Sequence, residues 1–116
     1  MSYNTALKAA GFTLLDYKRF GDYQGEWVAE VITPDGVHGY IHDWYGSCSV
    51  CDAFEADVGW EPWGDDEDEQ KEYDAKVEQF GKKYIDTQIT KEQVLNSVSS
   101  WHKDEVSAWL REKTDA

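Results

Sequence analysis

Cys48 and Cys51 form a C-x-x-C pair, and His38 and His42 precede it on the same stretch of chain, with Cys48 six residues after His42. Thiolate sulfur and neutral imidazole nitrogen are the ligands zinc takes in tetrahedral structural sites. The four side chains are therefore a candidate zinc set, the histidines as a strand pair and the cysteines as a knuckle, and zinc is the one cofactor the sequence suggests. The same pair supports a second chemistry. If Cys48 sits where a strand gives way to a helix, the helix N-terminus stabilises its thiolate, and the pair becomes a candidate thiol oxidoreductase. A Cys48–Cys51 disulfide would close too short a loop to staple a fold. The plain alternative is two free thiols that do no chemistry.

The other concentration of reactive groups is acidic. The chain has 116 residues and a formal net charge of −13. Between Asp52 and Glu78 twelve carboxylates stand against only Lys71 and Lys76, so ten of the thirteen excess charges fall in this one stretch. Asp65, Asp66, Glu67, Asp68, Glu69 and Glu72 follow closely on Trp60 and Trp63. Clustered carboxylates can take the place of nucleic-acid phosphates on a basic surface, and large aromatics anchor protein contacts. These eight residues are the candidate partner-binding set; a solvated loop and helix start would account for the same composition without a partner. Calcium does not fit the run. With Asp65 as first ligand of an EF-hand loop, Gln70 would occupy the glycine position and Lys76 the position of the bidentate glutamate.

The charge also argues against direct nucleic-acid binding, which depends on clustered Lys and Arg that release counterions. No G-x-S-x-G, phosphate-cradling glycine loop or H-E-x-x-H is present. Cys48 can be drawn with His42 or His102 and Asp43 as nucleophile, base and orienting acid, but three histidines and two cysteines make such drawings easy. An enzyme is thus less expected than a binding protein. No apolar run approaches the ~18 residues of a membrane span, and the start carries no secretion signal, so the expected compartment is the cytoplasm.

The elements that must position these groups point to one α+β domain over 1–116. Six Trp, seven Tyr and four Phe supply area for one core. A short helix over 2–10, capped by Ser2 or Asn4, ends at Gly11. Three strands follow, about 12–20, 26–33 and 37–45, the last two joined by Pro34-Asp35-Gly36, whose residues suit a tight turn. Pairing Thr33 with Val37 sets Ala29 opposite Ile41 and Val31 opposite Gly39. One face then carries Trp27, Ala29, Val31, Val37 and Ile41, the expected core side. The other carries Glu26, Val28, Glu30, Ile32, His38, Tyr40, His42 and Trp44, and is either half covered by a helix or a contact face. After a short helix from Asp52 to about Gly59, the spacing of Tyr73, Val77, Phe80 and Tyr84 predicts a helix over 66–84. Thr90 with Gln93 opens another over 91–112, with Leu95, Val98, His102, Val106 and Trp109 on one stripe and Ser99-Ser100 as a point of kinking or division.

At Tyr17-Lys18-Arg19-Phe20-Gly21-Asp22-Tyr23-Gln24-Gly25-Glu26-Trp27 and at Tyr45-Gly46-Ser47-Cys48-Ser49-Val50-Cys51-Asp52-Ala53-Phe54, the chain resembles small uncharacterised acidic proteins of bacteriophages and prophages. The resemblance spans about residues 15–58 and carries no catalytic residues. It implies a phage-encoded protein in a bacterial host cell, where such proteins often bind and block host enzymes, as DNA-mimicking anti-CRISPR and anti-restriction inhibitors do. The C-x-x-C also looks like a thioredoxin site, but no proline other than Pro34 and Pro62 is available to face it and no βαβ frame precedes it. The leading expectation is a non-enzymatic acidic inhibitor of a basic, nucleic-acid-binding host surface. A zinc-stabilised binding module and a thiol oxidoreductase stand behind it.

Overall fold

Pro34, Asp35 and Gly36 reverse the chain tightly enough that the Thr33 N–H reaches the Val37 carbonyl (2.8 Å) and the Gly36 N–H the Thr33 carbonyl (2.9 Å). Gly36 adopts φ 89°, a value other residues rarely take. The turn fixes the register of the strands it joins: Ala29 lies opposite Ile41 and Val31 opposite Gly39, as the sequence predicts. The computed structural model describes residues 3–46 and 52–113. Along them run α1 (Tyr3–Ala9), β1 (Thr13–Gly21), β2 (Gly25–Ile32), β3 (His38–Tyr45), α2 (Ala53–Val58), α3 (Glu67–Lys82), α4 (Lys91–Ser97) and α5 (Lys103–Arg111). The strands form an antiparallel sheet in the order β1-β2-β3, so the expected α+β class is observed.

Central β2 is buried along its length apart from its last residue, which one helical layer could not achieve. On the first face Trp27, Ala29, Val31 and Ile41 pack with Tyr3 and Leu7 of α1, Phe54 of α2 and Val77 and Phe80 of α3. On the second, Phe20, Val28 and Tyr40 pack with Val94 of α4 and Val106, Trp109 and Leu110 of α5. Each large apolar side chain so buried contributes roughly 1.5–3 kcal/mol, so both layers hold the sheet. The second face is therefore largely covered by α4 and α5, with Trp44 at its end left half exposed. Val37, expected in the core, is half exposed because it lies in the turn before β3 begins. The outer edge of β3 is closed by Ile89, which exchanges two backbone hydrogen bonds with Tyr40 (2.7 and 2.8 Å).

Three helix boundaries carry physical detail. Asn4 lies inside α1, where its Oδ1 accepts from the Thr5 N–H, so it does not cap the helix, and Ser2 is outside the described residues. The helix expected over 66–84 starts at Glu67, because Asp66 has extended backbone and its carboxylate accepts from the Asp68 and Glu69 N–H groups as N-cap. The helix expected over 91–112 is divided. Thr90 and Gln93 form the capping box that opens α4, Val98 turns extended (φ −71°, ψ 151°), and α5 begins only at Lys103. The cause is the Glu26 side chain of β2, which takes the Ser99 N–H.

Candidate functional site

Glu26 is wholly buried, at 0% exposure. A buried carboxylate is costly unless hydrogen bonds saturate its oxygens, and here they do. His42 Nε2–H donates to Oε1 (2.8 Å) and His102 Nδ1–H to Oε2 (2.6 Å), while the Ser99 N–H (3.0 Å) and hydroxyl (2.7 Å) complete the shell. An ionised carboxylate has no proton to give, so both ring nitrogens must be donors. The donors outweigh the desolvation and hold the Glu26 carboxyl below the usual carboxylate range, with His102 the strongest, then Ser99 and His42. Ser99 gives its N–H to Glu26 instead of to a helix carbonyl, and this divides α4 from α5.

The partners follow a rule of sheet geometry. Glu26 lies opposite Trp44 and bonds His42 on the diagonal; Glu30 lies opposite Tyr40 and bonds His38 on the same diagonal (2.8 Å). The sequence placed all four on one face and read them as surface or metal ligands, and their mutual pairing is what it missed. His102, on the apolar stripe of the carboxy-terminal helix, was the available signal that this face would receive a third imidazole.

The two histidines of the expected zinc set are not brought together. His38 and His42 are four residues apart on one strand, which separates them by ~13 Å, and each gives its Nε2 to a different carboxylate. Cys48 and Cys51 lie outside the described residues, and with them the thiol reading. Among the described residues no group of three or more His, Cys, Asp or Glu side chains is disposed to hold a metal ion. The drawn nucleophile–base–acid arrangement also separates: Asp43 points to the other face of the sheet and accepts from the Tyr84 hydroxyl (2.6 Å), while His42 and His102 both serve Glu26. Nor is Ser99 an activated nucleophile, since its hydroxyl donates to the carboxylate itself.

The acidic candidates form a surface. Trp60 is 75% and Trp63 93% exposed in the loop between α2 and α3, and Asp65, Asp66, Glu67, Asp68, Glu69 and Glu72 are all exposed. They are not equivalent. Asp66 is committed to capping α3, and Glu72 pairs with Lys76 one turn on (3.7 Å). The negative charge of the first turn is stabilised by the positive end of the helix dipole, so the run stays ordered while leaving Asp65, Glu67, Asp68 and Glu69 directed at solvent.

A second aromatic group was not foreseen. Trp44 (51% exposed) and Trp101 (88%) line a cleft of about 470 Å³ with Gln24, Gly25, Tyr45, Ser99 and His102. Tyr23 stands exposed beside it, in an adjoining hollow that shares Trp101 and His102. No helix among the described residues is long and apolar enough to cross a membrane. The chain matches no protein-family model, and no curated protein or solved structure is similar to it.

Proposed function

We propose that the protein is a non-enzymatic interaction protein that covers a basic, nucleic-acid-binding surface of another protein, and that it is phage-encoded and acts in the cytoplasm of a bacterial host. The observation that carries the reading is the juxtaposition of two highly exposed tryptophans, Trp60 and Trp63, with the exposed carboxylates that open α3. Exposed indoles have no folding role to explain them, and aromatic anchors beside a charged patch are what a protein contact uses. The carboxylates would steer and register the partner, and the indoles would supply the desolvated centre.

The reading is tested by capture from a bacterial lysate on the immobilised protein, at low and high salt and with competing duplex DNA. The expected result is retention of a nucleic-acid-binding protein at low salt, release by salt or by DNA, and loss of retention with Asp65→Asn, Asp68→Asn and Glu69→Gln combined, or with Trp63→Ala. Asp66 is left intact so that α3 keeps its cap. Capture that is indifferent to these substitutions and to added DNA overturns the proposal.

A further inference from the structure

The cleft between Trp44 and Trp101 has a polar floor of unusual construction. Glu26 fixes His102 by its Nδ1–H, so the neutral imidazole carries its lone pair on Nε2, on the far side of the ring from the carboxylate. His102 lines the cleft, and among the described residues nothing is hydrogen-bonded to that Nε2. A carboxylate behind the ring makes the nitrogen a better acceptor, as it does for imidazoles oriented by second partners elsewhere. Among the described residues no Lys or Arg lines the cleft, whose exposed aromatic walls are the Trp44 and Trp101 indoles and whose nearest buried charge is the Glu26 carboxylate.

An acceptor nitrogen, π-faces and a negative background together select a cation that carries N–H donors; an anion would find no donor charge, and a neutral ligand would leave the field unused. Two further features choose among cations. A planar guanidinium stacks on indole faces and presents its N–H groups edge-on to an acceptor, which a tetrahedral ammonium does less well. The cleft is also open, with Trp101 almost fully exposed at its rim, which suits the tip of a side chain projecting from a surface more than an enclosed small molecule. We infer that the Trp44–Trp101 cleft is a binding site for an arginine side chain of a basic polypeptide, with His102 Nε2 accepting a guanidinium N–H. The site is built by β3 and the α4–α5 junction and does not rest on the acidic start of α3.

The test is an NMR titration with acetyl-Gly-Arg-Gly-amide, observing the imidazole nitrogens and indole N–H groups, at mildly alkaline pH. The arginine tripeptide is expected to shift His102 Nε2 and the indoles of Trp44 and Trp101 saturably, leaving Trp60 and Trp63 unmoved. The citrulline tripeptide, with the same planar head and no charge, is expected to bind at least tenfold more weakly, and the lysine tripeptide to fall between them. Trp101→Ala, at an exposed position that leaves the core intact, should weaken the arginine tripeptide about fivefold. His102→Gln should also weaken it and cancel its advantage over citrulline, while Asp65→Asn with Asp68→Asn changes little. Shifts spread equally over all the tryptophans, equal binding of citrulline, or no response to Trp101→Ala would each overturn the site. Tighter binding of free methylguanidinium than of the tripeptide would overturn the polypeptide as its source.

Discussion

His102 Nδ1–H donates to Glu26 Oε2 across 2.6 Å, joining β2 to the start of α5 over 76 residues of sequence. This bond and the Ser99 contacts to the same carboxylate are a buried polar attachment of the α4–α5 layer to the sheet, beside a largely apolar interface, with Lys113 to Asp16 of β1 a second polar link. Replacing Glu26 by Gln keeps the shape but turns an acceptor oxygen into an NH₂ group that must face a donor. The expected loss is about 3 kcal/mol, the range for removing one member of a buried charged network. Urea unfolding reads it as a lower midpoint with an unchanged slope. An unaltered midpoint would show that the carboxylate is not needed there.

The same carboxylate sets an acid limit on stability. Its folded-state pKa is lowered, so its contribution is full above the unfolded value of about 4.3 and disappears as pH falls below that, through the folded value. Asp16 moves in the same direction, chiefly through its hydrogen bond with Lys113. Thermal unfolding followed downward from neutral pH is expected to show Tm falling steeply below that point. Glu26→Gln should start lower and fall less. Parallel curves for the two proteins would place the acid sensitivity elsewhere.

At the alkaline end burial raises the hydroxyls of Tyr3, Tyr17, Tyr73 and Tyr84 alike; of these Tyr17, pushed up to about 12, is buried and unpartnered among the described residues. A raised folded-state value means stability that is complete below the unfolded pKa of about 10 and is lost as pH rises toward the folded one. Tyr17→Phe removes both the titration and the unsatisfied hydroxyl. It is expected to be neutral or slightly stabilising at neutral pH, and to flatten the decline in Tm above pH of about 10. A marked loss at neutral pH would show that the hydroxyl has a partner.

What the sequence disclosed, and what it did not, divides by range. The sheet was legible because the Pro34-Asp35-Gly36 turn and a period of two fix register locally, and Thr33 does face Val37. The capping box at Thr90 and the stripe from Tyr73 to Tyr84 were legible for the same reason. A period of 3.6 tells which side of a helix is apolar but not which sheet face it covers, so the occupant of the second face stayed open. Glu26 on the sheet's second face, His42 among the zinc candidates and His102 on a helix stripe were read apart because their meeting depends on that docking. Trp44 and Trp101 come from segments 57 residues apart, and nothing local in either announces a shared cleft.

Gly81 offers a test of the first helical layer. A Cβ placed on it would lie 2.0 Å from the Ala6 carbonyl oxygen, a backbone atom of α1 that cannot rotate away. The absence of a side chain is what lets α1 and α3 approach, so Gly81→Ala must push the helices apart despite the better helix propensity of alanine. The expected net cost is about 2–3 kcal/mol, as for overpacked cores. A variant as stable as the parent would mean that the helices are not in close contact.

Asp65 and Asp66 are adjacent acids with different duties, and their alanine variants should separate folding from contact. Asp66 accepts the Asp68 N–H at 2.9 Å and the Glu69 N–H at 3.3 Å, so removing its carboxylate leaves two helix donors without their cap. Asp66→Ala is expected to cost about 1 kcal/mol of stability. Asp65 makes no capping bond to α3 and is exposed, so Asp65→Ala should change stability by less than about 0.5 kcal/mol. In the capture assay the order should reverse once both proteins are folded, with Asp65→Ala weakening retention more than the inward-bonded Asp66. Thermal melts and salt-elution profiles of the two variants measured side by side decide it. If the stability and retention losses run in the same order, the carboxylates at the start of α3 serve the helix alone.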